Sequence, residues 1–130
     1  MKKILMAGCE PETCADLVSF LGDKYQVSVA KSREEALEHL RHEEIDVLIV
    51  DVKVPVTRAL QLIQEAKSIR QDLGVIVMYL YFDQTQDVEH LLRRLADVCI
   101  RKPLDSDEAI SKAIQQLFKR KGNMAGAIQT

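Results

Sequence analysis

Long apolar runs are missing from these 130 residues. The longest, Val75 to Phe82, is eight residues, whereas a helix that crosses a bilayer needs about 20. No export signal is visible: Met1-Lys2-Lys3 leads into only Ile4 to Ala7 before a polar turn. Cysteine is scarce and odd in number, three in all. No disulfide framework is therefore expected, and a reducing cytoplasm fits better. Charge of one sign is lacking too. Residues 1–65 carry a net −4 and residues 66–130 a net +2, leaving −2, with none of the strongly basic character of a nucleic-acid binder. With 47% hydrophobic residues the chain is too apolar for disorder, and 29% charged residues is ordinary for a soluble domain. The length predicts one domain, with no room in these residues for a separate output module.

What is present alternates between strand and helix. Lys3 to Ala7 is a short apolar run, right for a buried strand. Cys14, Leu17, Val18 and Leu21 then share one face at helical spacing. Pro11 suits that helix's first turn, and Gly22 marks its stop. Tyr25 to Ala30 alternates with period two. Ser32-Arg33-Glu34-Glu35 has the form of a capping box, followed by Ala36, Leu37 and Leu40 as an inward face. Ile45 to Asp51 is apolar almost throughout, as a central parallel strand should be. A third helix is predicted from about Arg58 to Arg70, and a fourth strand over Val75 to Tyr79. Val88, Leu91, Leu92 and Leu95 form a fourth helical face, and Val98 to Ile100 a fifth strand. Asp105 to Glu108 opens a fifth helix with Ile110, Ala113, Ile114 and Leu117 inward, ending at Gly122. Five such pairs predict an α/β fold, a five-stranded parallel sheet doubly wound with helices on both faces. Ligands of such folds sit at the carboxyl ends of the strands.

The residues at those ends carry a resemblance. Asp46 to Pro55 ends a strand in Asp51 and places a proline four residues later. Ala96 to Leu104 ends a strand in Lys102-Pro103, and Lys2 to Glu12 includes Glu10-Pro11-Glu12. Together these resemble the response-regulator receiver domain of two-component (phosphorelay) systems, CheY-like proteins of flavodoxin-like fold. The resemblance implies strand order 2-1-3-4-5. It implies a receiver-like domain over residues 1–121 and a flexible tail over 122–130. Asp51 matches the phosphoacceptor and Lys102 the lysine that follows strand 5 in that pocket. In a receiver, an acidic pair after strand 1 joins the acceptor Asp in holding Mg²⁺, a hard ion that needs oxygen ligands.

This chain departs from the pattern in the pocket itself. The acidic pair falls on Gly8 and Cys9, with Glu10 one residue beyond. The switch hydroxyl falls on Tyr79, followed by the bulky Leu80. The aromatic of strand 5 falls on Cys99. The expectation is a pseudo-receiver that binds proteins, with Mg²⁺ binding weak or absent, no cofactor, no metal centre and no enzymatic residue. A standing pair of Lys102, or of the nearby Lys53, with Asp51 replaces the metal in this reading. Two other readings stay open. One is a working phosphoacceptor at Asp51 in an unusual pocket. The other is a phosphotransfer enzyme using Cys9, whose place after strand 1 is similar to phosphocysteine subunits of sugar transport systems. The loop Cys9-Glu10-Pro11-Glu12-Thr13-Cys14 is poor for that role, because two glutamates repel phosphate and no Gly or Arg shapes an anion nest.

Cys14 and Cys99 read as core cysteines, and His39, His42 and His90 as surface residues. Arg93, Arg94, Arg101, Lys112, Lys119, Arg120 and Lys121 gather on the fourth helix, strand 5 and the fifth helix. In receivers that face meets a sensor kinase, a downstream effector or a second copy. The partners expected here are therefore proteins, including a homodimer, and neither nucleic acid nor a membrane. The chain is also open to being a fragment of a longer protein.

Overall fold

The computed structural model describes residues 2–8, 10–52, 56–80, 90, 94–102 and 110–119, with backbone only at Pro11, Thr13, Val56, Leu80, Arg101 and Lys102. Five strands, β1 (Lys3–Ala7), β2 (Gln26–Ala30), β3 (Val47–Asp51), β4 (Gly74–Leu80) and β5 (Val98–Lys102), form one sheet in the order β2-β1-β3-β4-β5. Every pairing is parallel. Among the described residues, three bounded helices lie between them: α1 (Pro11–Leu21), α2 (Arg33–His42) and α3 (Val56–Ile69). Residues 110–119 are helical as well. The strand order and the parallel sheet agree with the sequence expectation. The predicted fourth helix is described only at His90, Arg94 and Leu95, and the cap at 105–108 and the tail at 122–130 lie outside the described residues.

Strand alternation sorts the core into two layers. Leu5, Leu48, Val50, Val75 and Val77 face α2 and α3 and pack with Ala36, Leu40, Ile63 and Ala66. Ile4, Met6, Val47, Ile49, Ile76 and Met78 face the other way, onto Cys14, Leu17 and Leu21 of α1 and Ile110, Ile114 and Leu117 of the C-terminal helix. A sheet covered on both sides explains why β3 is buried at all five positions and carries no polar alternation.

Local chemistry fixes the element ends. Pro11 occupies the first turn of α1, where a missing N–H leaves no bond unmade. The Ser32 hydroxyl accepts the Glu35 N–H at 3.1 Å, capping α2 as its sequence predicts. At the other end of α2, the Arg70 guanidinium donates to the carbonyls of Leu40 and Glu43, tying α2 to the end of α3. Helix α3 begins at Val56 rather than near Arg58. Strands β4 and β5 run past the predicted ends because their ladder pairs Tyr79 with Arg101 and Leu80 with Lys102.

Candidate functional site

The chain runs from β1 outward to β2 and then crosses back to β3 on the other side of β1. The order therefore reverses between β1 and β3, and a crevice opens there at the carboxyl ends of the strands. Ala7 of β1 pairs with Val50 of β3, so the next residues, Gly8 and Asp51, flank this crevice.

Asp51 closes β3 and is 4% exposed, the one buried charged residue among those described. A carboxylate in such a place is costly unless bonded. Among the described residues no buried side-chain oxygen or nitrogen lacks a hydrogen-bond partner. Asp51 also stays inside the ladder, paired with Met78 of β4, and Val52 N–H beyond it donates to the Met78 carbonyl at 2.8 Å.

Gly8 has φ +80°, and no other residue type among those described adopts a positive φ. A Cβ built on Gly8 would lie 2.8 Å from the Asp51 carbonyl oxygen. That contact is with backbone, which cannot swing away as a side chain would. A side chain of any kind at position 8, a carboxylate included, does not fit this backbone. The sequence shows the missing acid at this position. It does not show that the chain turns here into a conformation that favours glycine.

Tyr79 is 8% exposed and lies in the core layer of Val50, Val77 and Ala96, with Leu95 and Cys99 packed against that layer. Alternation along β4 accounts for this, since Val77 and Tyr79 share one face and Met78 takes the other. Cys99 of β5 stands opposite Val77, two residues before the partner of Tyr79. The aromatic ring thus sits on β4, diagonal to the small Cys99 of β5.

Glu10 is exposed, and its backbone carbonyl accepts the Cys14 N–H at 2.8 Å to open α1. Cys14 is buried in the α1 layer and Cys99 is half-buried. Lys102 ends β5 beside Leu80 of β4. Its side chain, and all of Cys9 and Lys53, lie outside the described residues. Among the described residues no group of three His, Cys, Asp or Glu side chains is placed to hold a metal ion.

Other carboxylates serve the opposite, amino-terminal ends of the strands. Asp46 Oδ2 accepts the Lys3 N–H at 2.8 Å, and Asp97 Oδ2 accepts the Val75 N–H at 2.7 Å with Lys67 Nζ at 3.6 Å. Sequence reading missed both roles; each aspartate directly precedes an apolar strand, which is the available signal. His39 meets Glu43, and His42 meets Glu38 at 3.0 Å, each one helical turn apart. Hydrogen bonding to His39, together with Lys3 nearby, holds the Glu43 carboxyl below its ordinary value. Arg94, Lys112 and Lys119 of the basic group are exposed, while Arg93, Arg120 and Lys121 lie outside the described residues. Among the described residues no helix is long and apolar enough to cross a membrane.

Residues 4–118 match the family model of the response regulator receiver domain. The transcriptional regulatory protein ZraR of Escherichia coli K12 is 30% identical over 105 residues, covering 80% of this chain and 24% of that protein. The chain thus spans about a quarter of the length of the curated relatives it matches. A response regulator receiver domain protein from Clostridium thermocellum superposes with TM-score 0.80 at 26% identity, covering 95% of this chain and 99% of that one. The response regulator TrrA of Thermotoga maritima, solved in complex with Mg(2+)-BeF, has TM-score 0.74 at 24% identity, covering 90% and 99%.

Proposed function

This chain belongs to the response regulator receiver domain family, and from that premise we propose that it is a pseudo-receiver, signalling by protein–protein contact with little or no Mg²⁺-dependent phosphorylation of Asp51. The observation that carries this reading is the closed backbone at Gly8, which leaves no room for a carboxylate beside Asp51. Phosphoryl transfer to an aspartate brings negative charge to a negative group, and a divalent ion normally offsets it. Mg²⁺ needs near-octahedral oxygen ligands, and at this strand end the described side chains supply one carboxylate. The burial of Tyr79 supports the same reading, because a ring packed in the core is not free to follow a phosphoryl group.

In this proposal Asp51 is held by a lysine in place of a metal. Lys102 is the first candidate. It ends β5, two strands from β3 and two residues beyond the level of Asp51, a separation of about 12 Å that an extended lysine and an aspartate span together. Lys53, two residues after Asp51, is the second. The partners are proteins, a sensor kinase or a downstream effector, met through the fourth helix, β5 and the C-terminal helix, where Arg94, Lys112 and Lys119 are exposed. A second copy of the chain fits the same face. The setting is the cytoplasm, and the protein has no catalytic role of its own.

A second reading, a phosphoacceptor with an unusual pocket, draws on the placement of Asp51 at the end of β3 with Lys102 at the end of β5. Affinity capture from the native cell, with and without acetyl phosphate, separates the two. The pseudo-receiver reading predicts the same captured proteins in both samples and no mass shift on Asp51. A donor-dependent change in partners together with phosphorylated Asp51 would support the second reading instead.

A further inference from the structure

We infer that Gly8 is a specificity-determining position that excludes a divalent cation through its backbone, so that restoring the family's acidic residues does not restore a metal site. The inference rests on the receiver reading and adds a physical cause to it. An eroded metal site would keep the backbone of a working one and lack only its side chains. Substitution would then repair it.

Here two obstacles stand in the way at one residue. The φ of +80° is a conformation that L side chains rarely adopt. The 2.8 Å approach of a Cβ to the Asp51 carbonyl oxygen is closer than side chains tolerate. The obstructing oxygen is also fixed. Asp51 is paired with Met78, and the residue after it donates to the Met78 carbonyl. Relief must come from shifting the end of β1, where Ala7 is buried and paired with both Ala30 and Val50. A carboxylate at position 8 would in addition bring its charge against the Asp51 carbonyl dipole and carboxylate.

The contrast with Cys9 makes the inference testable. The full chain is prepared as wild type, Gly8→Ala, Cys9→Asp and the double variant Gly8→Asp/Cys9→Asp. Urea unfolding is followed by circular dichroism, and Mg²⁺ binding by amide shifts. The expected results are an unfolding midpoint near wild type for Cys9→Asp and a clearly lower one for Gly8→Ala, although alanine adds a single methyl group. The double variant is expected to bind Mg²⁺ no more than threefold tighter than Cys9→Asp, or to lose its fold where Cys9→Asp keeps it. A Gly8→Ala midpoint equal to wild type would overturn the inference. So would a folded double variant that binds Mg²⁺ tenfold or more tighter than Cys9→Asp. Tight Mg²⁺ binding by the wild type would overturn both the inference and the pseudo-receiver reading, whereas phosphorylation of Asp51 without Mg²⁺ binding would refute that reading and leave the role of Gly8 standing.

Discussion

Replacing Tyr79 by threonine gives the chain the hydroxyl that receivers carry at this position, yet it also empties part of the core. The ring is 8% exposed and shares its layer with Val77 and Ala96, with Leu95 and Cys99 packed against the same layer. Burying an aromatic side chain of this size contributes about 1.5–3 kcal/mol, and truncating a buried aromatic to alanine costs about 3–5 kcal/mol once the cavity is included. Threonine keeps the Cβ and two atoms beyond it, so the expected loss is roughly 3 kcal/mol on the same scale. For a domain of this size that corresponds to about 10 °C in melting temperature. Thermal melts and urea titrations of Tyr79→Thr read it directly. Adding Cys99→Tyr returns a ring to the neighbouring strand at a diagonal position, within aromatic reach, and recovers at least half of the loss. A Tyr79→Thr variant melting within about 2 °C of wild type, well under one kcal/mol, would refute the claim that the ring is core rather than a mobile lid.

Two further outcomes follow from bonds elsewhere in the sheet and helices. Arg70→Ala removes the fork that satisfies the Leu40 and Glu43 carbonyls and is expected to cost about 1–2 kcal/mol in urea unfolding, with Arg70→Lys recovering less than half because an ammonium lacks the planar fork. Glu43 has its folded carboxyl value depressed, first by the hydrogen bond from His39. Its contribution is therefore present above the ordinary value of 4.5 and lost as pH falls through the lower, folded value. Stability of wild type relative to Glu43→Gln should shrink on acidification below pH 4.5; a difference that grows there would contradict the assignment.

Much of this was legible in the residues. Hydrophobic periodicity located all five strands, because a sheet covered on both faces leaves unbroken apolar runs such as Val47 to Val50. The Ser32 cap and the buried face of α1 were equally plain, each signalled by residue spacing within one element. The early start of α3 was not, since the β-branched Val56 and Thr57 have modest helix propensity that the fold overrides. At the candidate site, the sequence placed Asp51 and Gly8 at neighbouring strand ends but left their relation open. A glycine announces freedom, not the sign of its φ. The approach to the Asp51 carbonyl arises from pairing of strands some forty residues apart. Tyr79 takes the position of the switch hydroxyl in the sequence, and strand alternation places it in the core layer with Val77.

Whether the crevice between β1 and β3 accepts a metal ion decides between a pseudo-receiver and a working phosphoacceptor. The most direct test is a titration of the wild-type chain with Mg²⁺ and then beryllofluoride, followed by the amide resonances of Gly8, Asp51, Val52 and Tyr79. A crevice closed to metal gives no saturable shift at millimolar Mg²⁺ and none on adding beryllofluoride. Saturable shifts centred on Asp51, spreading to Tyr79 and β5 once beryllofluoride is present, would contradict the pseudo-receiver reading.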